Sequence, residues 1–265
     1  MNYWSPGRGV LRGIIAACLG LMVSIAIAAD IHVVSSGGFA AAYRALAPGF
    51  EKETGHHLVI GWGPSMGETP QAIPNRLERK EDIDVVIMVG GSLDELIHRG
   101  VVLDAQHQVL ARSRIGVAVK AGAARPDISS MEGLRKALLA ARSIAYSDSA
   151  SGVFLSTVLF PRMGIAEQIK SKSRMIPAEP VAQVVARGEA EIGLQQISEL
   201  LPIPGIDFVG ALPDAAQQVT PFSAGIVTDS KVKEAAALLI NYLASPAAAP
   251  LIRQTGLDPA SDNAH

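Results

Sequence analysis

Cysteine is almost missing: the 265 residues contain one, Cys18, so the chain has no internal disulfide to form and no thiolate cluster to offer a metal. Aromatic residues make up 5%, too few for the stacked rings of a sugar site, although Trp62 alone is a conceivable platform. Net charge is slight and negative, with 23 Lys and Arg against 25 Asp and Glu, which argues against a nucleic-acid partner. Internal repeats, low-complexity tracts and long charge runs are not found. His32, His56, His57, His98 and His107 lack ligand spacing such as H-x-x-x-H, and adjacent His56 and His57 would point to opposite sides of a strand. No metal and no cofactor is expected.

One long hydrophobic run is present. Gly13 to Ala29 follows Arg8 and Arg12, and Ala26-Ile27-Ala28 supplies the small-x-small pattern of a signal-peptidase site. The run holds 17 residues, broken by Ser24, short of the ~20 that a transmembrane span needs. Residues 1–28 are therefore expected to be a cleaved signal peptide, with a mature chain from Ala29 in the periplasm. Ile15-Ala16-Ala17-Cys18 resembles a lipobox, but the apolar run continues past the cysteine, on the wrong side of such a cut. The two arginines of 1–28 leave 21 basic against 25 acidic residues, a net charge of −4. The remaining length can bury one large core or two of domain size.

Hydrophobic periodicity alternates between strand and helix, which predicts an α/β fold of parallel-type sheets flanked by crossover helices. Strands are expected at Ile31–Ser35, Leu58–Gly61, the apolar "IDVVIMVGG", Arg114–Lys120, Ser143–Tyr146, Glu191–Gln195 and "VTPFSAGIV". Helices are expected at Ala40–Thr54, after Pro70, from Ser92 with Glu95 completing a capping box, and at Ser130–Ala141, Gly152–Met163, Glu179–Arg187, Lys231–Leu243 and Ala247–Thr255. Residues 115–219 read as a second domain inserted into a first made of 29–114 and 220–265. Two hinge crossings, near 112–120 and 218–227, would join them.

Four junctions share one composition: a strand, a few small polar residues, then a helix start. They are Ser35-Ser36-Gly37-Gly38, Gly63-Pro64-Ser65-Met66-Gly67, Ser147-Asp148-Ser149-Ala150-Ser151-Gly152, and Gln195-Gln196-Ile197-Ser198. Such junctions lie at the carboxyl edge of a parallel sheet, where ligands bind. Backbone N–H groups, hydroxyls, amides and helix dipoles can there hold an anion without a full countercharge. Ser, Gly and Asp also cap helices in any α/β protein, and that reading stands beside the first.

The stretches "SSGGFAAAYRALAPGFEKETG", "DVVIMVGGSLDELIHRGVV", "VARGEAEIGL" and "AAALLINYLASPAAAPLIRQTGL" resemble the molybdate-binding type of periplasmic solute-binding protein, the receptor of an ABC importer. The resemblance implies a two-domain type II binding fold whose cleft closes over a small oxyanion before the protein docks on a membrane permease. It places ligand contacts at Ser36, at Ser65, at Ser151, Gly152 and Val153, and at Gln196; Gly37 and Gln195 are candidates from the composition of the same junctions. The family's Tyr-Gly-Ser-Asp run is replaced here by "LQQISEL", and its paired serines in the second junction by one serine between Trp62 and Met66. An amide pair and an aromatic wall suit a planar organic acid as well as a metal oxyanion. Arg112 or Arg114, at the first crossing, could give a carboxylate a bidentate partner.

A solute binder without catalysis, acting as a monomer, is the expectation. Two alternatives remain. Gly63-Pro64-Ser65-Met66-Gly67 matches G-x-S-x-G between a strand and a helix, so Ser65 could be a hydrolase nucleophile; of the later histidines, His98, His107 and His265, none follows an apolar strand in a way that aims it at Ser65. A periplasmic ligand sensor would use the same fold.

Overall fold

The computed structural model describes residues 1–3, 28–177 and 179–263. Residues 4–27 of the expected signal segment, with Cys18 and Ala26-Ile27, lie outside the described residues, as does His265. Among the described residues no helix is long and apolar enough to cross a membrane.

In chain order the first elements are β1 (Asp30–Ser35), α1 (Gly37–Thr54), β2 (His57–Trp62), α2 (Ile73–Glu78), β3 (Val85–Val89) and α3 (Gly90–His98). The chain continues through β4 (Gln108–Ser113), β5 (Ile115–Lys120), α4 (Met131–Ala140) and β6 (Ile144–Ser147). Then come α5 (Ala150–Phe154), α6 (Phe160–Arg162), α7 (Ala166–Ile169), β7 (Ser173–Ile176), α8 (Val181–Ala186), β8 (Ile192–Gln196), α9 (Ile197–Leu200) and β9 (Ile206–Ala211). The last are β10 (Thr220–Ile226), α10 (Lys233–Leu243), α11 (Ala249–Gln254) and β11 (Leu257–Pro259).

The strands form two sheets, one in the order β11-β4-β10-β3-β1-β2 and one in the order β7-β6-β8-β5-β9. The α/β expectation holds, with one refinement. Pairs β1–β2, β1–β3, β6–β7 and β6–β8 are parallel, whereas β10 runs antiparallel to β3 and β4, and β5 to β8 and β9. The reversed strands are those the chain uses to pass between the sheets, so their direction is set by the crossing rather than by a crossover helix.

Several boundaries differ from expectation for local reasons. Helix α2 begins at Ile73 with Pro74 in its first turn, not at Pro70; the loop before it folds back, Ile73 N–H donating to Pro64 O at 2.9 Å, and only glycine fits at 63 because a Cβ there would stand 2.0 Å from Gln71 O. Helix α3 follows β3 without a break and has no side-chain cap, so the Ser92–Glu95 capping box does not form. The helix expected at Gly152–Met163 is divided by a π-helical stretch, Leu155–Leu159. Ser156 and Thr157 hydroxyls bond back to Gly152 O at 2.8 Å and Val153 O at 2.7 Å, and Pro161 has no N–H for the carbonyl of Thr157.

Each sheet has its own core. The Phe39, Tyr43, Leu46 and Phe50 face of α1 packs with Ile31, Val33, Phe222, Leu239 and Leu243 in the first. Ile115, Leu134, Leu138, Leu155 and Leu159 form the heart of the second. Arg114 alone separates β4 from β5 at the outgoing crossing. On the returning one, Gln217 reaches back: its Oε1 accepts from Ile115 N–H at 2.8 Å, and its Nε2 donates to Ile115 O at 3.0 Å and Leu212 O at 3.3 Å.

Candidate functional site

The carboxyl ends of β1, β2, β3, β6, β7 and β8 face one another across a cleft of about 500 Å³, within the ~300–1,000 Å³ usual for small-molecule sites. Ser36, Gly37, Trp62, Ser65, Gln195 and Gln196 all line it.

Ser36 is the N-cap of α1, in extended conformation, yet its side chain makes no capping bond. It is 4% exposed and its hydroxyl has no partner, while its N–H is fixed to Ile87 O at 2.8 Å. An 18-residue helix thus opens onto the cleft with a spare hydroxyl at its positive end. Behind it Gly38 must lack a side chain, because a Cβ would stand 2.0 Å from the Phe222 ring.

Ser65 Oγ accepts from Val89 N–H at 3.0 Å, which leaves its proton for the cleft. Among the described residues no histidine lines the wall with it. Trp62 meets Tyr43 edge-on at 6.2 Å and carries the Arg44 guanidinium 4.3 Å above its ring.

Gln195 Oε1 accepts from Val181 N–H at the start of α8, at 2.9 Å. Gln196 Nε2 donates to Thr220 Oγ1 at 3.1 Å, and its Oε1 is buried without a partner. Because the Thr220 hydroxyl can donate as well as accept, a half-turn of this amide presents its NH₂ to a ligand and keeps the bond to Thr220.

The third junction contributes Ser147, Asp148, Ser149 and Ala150. Ser151, Gly152 and Val153 do not reach the wall. Ser151 is fully buried with its hydroxyl on Ser147 Oγ at 2.9 Å, Gly152 packs so closely that a Cβ would fall 1.5 Å from Ser147 O, and Val153 is 41% exposed. Since α5 starts at Ala150, the residues facing the cleft are those before the helix together with its first residue, and not the rest of its first turn. Arg112 and Arg114 are also absent from the wall; Arg114 pairs with Asp214 at 2.8 Å.

The sequence reading missed Glu199. Three residues beyond Gln196, it lines the cleft in α9. Burial pushes its carboxyl up to about 7, Gln195's side-chain hydrogen bond opposing this and the Asp148 charge adding to it. Its Oε1 would lie 2.3 Å from a Cβ on Gly37, and neighbouring Ser198 Oγ donates to Gly38 O at 2.7 Å across the two walls. Gln195 ends in strand β8 and Glu199 stands in the first turn of α9, so no single periodicity in the sequence joins them.

A pH test of stability follows. A folded-state value near 7 against an ordinary 4.5 means that the folded protein holds a proton the unfolded chain has lost between those two values. Stability therefore falls as pH rises through that window, and the full cost is present above it. Glu199→Gln removes the ionisation, so urea melts at pH 8 should show the variant more stable than wild type by about 1–2 kcal/mol, part of the full shift because the carboxyl shares the cleft with water. The difference should vanish at pH 4. Equal stability at pH 8 would contradict the buried carboxylate.

Over residues 31–258 the chain matches the model of a family described as bacterial extracellular solute-binding protein. It is 53% identical over 229 residues to the aconitate isomerase of a Pseudomonas species, covering 86% of this chain and 87% of that one. It is 27% identical to the molybdate-binding protein ModA of Azotobacter vinelandii, covering 92% and 96%. The solved periplasmic molybdate-binding protein of A. vinelandii superposes with a TM-score of 0.69 at 21% identity, covering 86% of this chain and 98% of that one. The type II periplasmic binding fold expected from the sequence is thereby found. The expectation that the chain is not an enzyme is overturned: a relative identical at 53% of the 229 aligned positions is named for a catalysed reaction. Sequence reasoning could not reach this, since binder and enzyme share the fold.

Proposed function

Because the chain belongs to the bacterial extracellular solute-binding protein family, we propose that it is a member whose ligand cleft does chemistry, interconverting the cis and trans forms of aconitate in the periplasm. The 53% identity to an aconitate isomerase across 86% of the chain carries this reading. The cleft is in keeping with it. Aconitate is a three-carbon CH₂–C=CH unit bearing three carboxylates, and Ser36, Ser65, Gln196 and the N–H groups opening α1 are donors suited to carboxylate oxygens. Geometric isomerisation needs no redox partner and no water: a methylene proton leaves, the double bond delocalises, and a proton returns. A set of neutral donors with one carboxyl that titrates near neutrality can perform that sequence.

The test is incubation of residues 29–265 with trans-aconitate or with cis-aconitate, followed by proton NMR. Approach to one common mixture from both sides, absent after heat inactivation, is the result anticipated. Saturable binding with no interconversion would instead leave a second reading, delivery of a small anion to a membrane permease, which the family and the 27% identity to a molybdate-binding protein favour. Thermal shift against molybdate and aconitate separates the ligands, since a ligand at 100 times its Kd stabilises by about 2.7 kcal/mol.

A further inference from the structure

We infer that Glu199 is the catalytic base that takes the methylene proton from the substrate and hands it back, an inference that rests on the isomerase reading above. Among the described residues three carboxylates line the cleft, Asp148, Glu179 and Glu199, and no Lys, Arg or His lines it with them. Glu179 is held by both Nη atoms of Arg187 at 3.0 and 3.1 Å, an arrangement that keeps a carboxylate ionised and occupied. Asp148 is exposed. Glu199 differs from both: it is partly buried, has no ion-pair partner among the described residues, and has the neutral amide of Gln195 as the group that favours its ionised form. That amide is itself fixed by Val181 N–H, so the carboxyl has a neutral neighbour in a set position and no cation to neutralise it.

Its position is as telling as its surroundings. Glu199 comes from the second sheet, but its Oε1 lies against Gly37, the first residue of α1 on the opposite wall, in space that any side chain at 37 would take. The base thus stands beside the N–H groups and the unpartnered Ser36 hydroxyl that would hold a substrate carboxylate. A proton on the carbon next to that carboxylate is the one such donors acidify, because charge developing on the carbon spreads onto the oxygens they already hold. In the step, the C–H bond breaks and its proton passes to a Glu199 oxygen. The electron pair spreads over the three-carbon unit and its carboxylates, the former double bond rotates, and the same proton returns to a terminal carbon. No oxidant, reductant or second substrate is consumed. The elevated proton affinity of Glu199 matches a group that must both accept and release a proton near neutral pH.

The experiment compares wild type with Glu199→Gln and Glu199→Asp for isomerisation of trans-aconitate, and measures calorimetric binding of propane-1,2,3-tricarboxylate, a saturated analogue that cannot isomerise. Glu199→Gln should lower kcat by about 10²–10⁴-fold while the analogue's Kd stays within tenfold. Glu199→Asp should retain part of the rate. Wild-type kcat/KM should rise with pH and level off above about 7, the value to which burial pushes this carboxyl, with Asp148, Glu179 and the Arg187 paired to it as the charged groups nearby. Wild-type turnover with an unchanged pH profile in Glu199→Gln would overturn the assignment and leave the isomerase reading standing. A hundredfold loss of analogue binding in that variant would overturn it too, by making Glu199 a structural or binding group. Absence of turnover in wild type would remove the isomerase reading and this inference with it.

Discussion

On the isomerase reading proposed above, Ser36→Ala and Gln196→Ala will each weaken binding of trans-aconitate by roughly ten- to over a hundredfold, the ~1.5–3 kcal/mol lost with one hydrogen bond to a charged partner, while melting of the free protein moves by no more than a few degrees. The two hydroxyl and amide groups are chosen because each is buried at the cleft with an unsatisfied atom: Ser36 Oγ bonds nothing, and Gln196 spends only one end on Thr220. A serine that capped α1 would give the opposite pattern, about 1 kcal/mol of lost stability with affinity untouched, but Ser36 makes no capping bond to lose. The other junction serines should behave differently. Ser65 serves Val89 N–H, so its alanine variant should lose both stability and affinity. Ser151 serves only Ser147, so Ser151→Ala should lower stability and leave affinity alone. Gln108, exposed on β4, is the control that should do neither. Isothermal titration and melting on the same set decide the matter, and unchanged affinity in both Ser36→Ala and Gln196→Ala would remove the site as drawn.

Phe222→Ala should cost about 3–5 kcal/mol in urea unfolding, the usual price of emptying a buried aromatic site. Phe222 is 3% exposed in the first core, its strand β10 is bonded on both sides, to β3 and to β4, and its ring fills the space that Gly38 leaves open. Neighbours on two paired strands cannot collapse inward to close the hole. The ring also borders the cleft, so affinity should fall together with stability. A loss below about 1 kcal/mol would show that α1 can settle onto the sheet without it.

Much of the fold could be read from local pattern. Strand β1 with the 18-residue α1 announced itself by a β-branched run, a Ser-Gly break and an apolar stripe, and the wholly apolar β3 could only be an inner strand. What escaped had weak or misleading signals. Strand β9 is half-buried at every position and shows no alternation, and β11 has only three residues. The π stretch depends on hydroxyls returning to carbonyls one turn back, which composition alone does not separate from an ordinary helix. Ser36, Ser65 and Gln196 were legible because strand ends and small polar residues coincide there. Glu199 was not: an acid in the first turn of a helix is ordinary dipole chemistry, and its carboxyl lies against Gly37 at the start of α1, far away in the chain. Arg114 misled for the reverse reason, since Asp214, its partner on the returning crossing, is invisible to neighbouring sequence.

The amide of Gln217 gives Ile115 a donor and an acceptor, as the peptide group of a neighbouring strand would. The outgoing and returning segments are therefore laced edge to edge into a ribbon two chains wide. A single chain can swivel about any of its backbone bonds, but a ribbon resists twisting and sliding and bends freely only across its width. We propose that any travel of one half of the molecule relative to the other is confined to a swing about that line, an arc on which Glu199 and the end of α1 meet, aligned by the track rather than by the ligand.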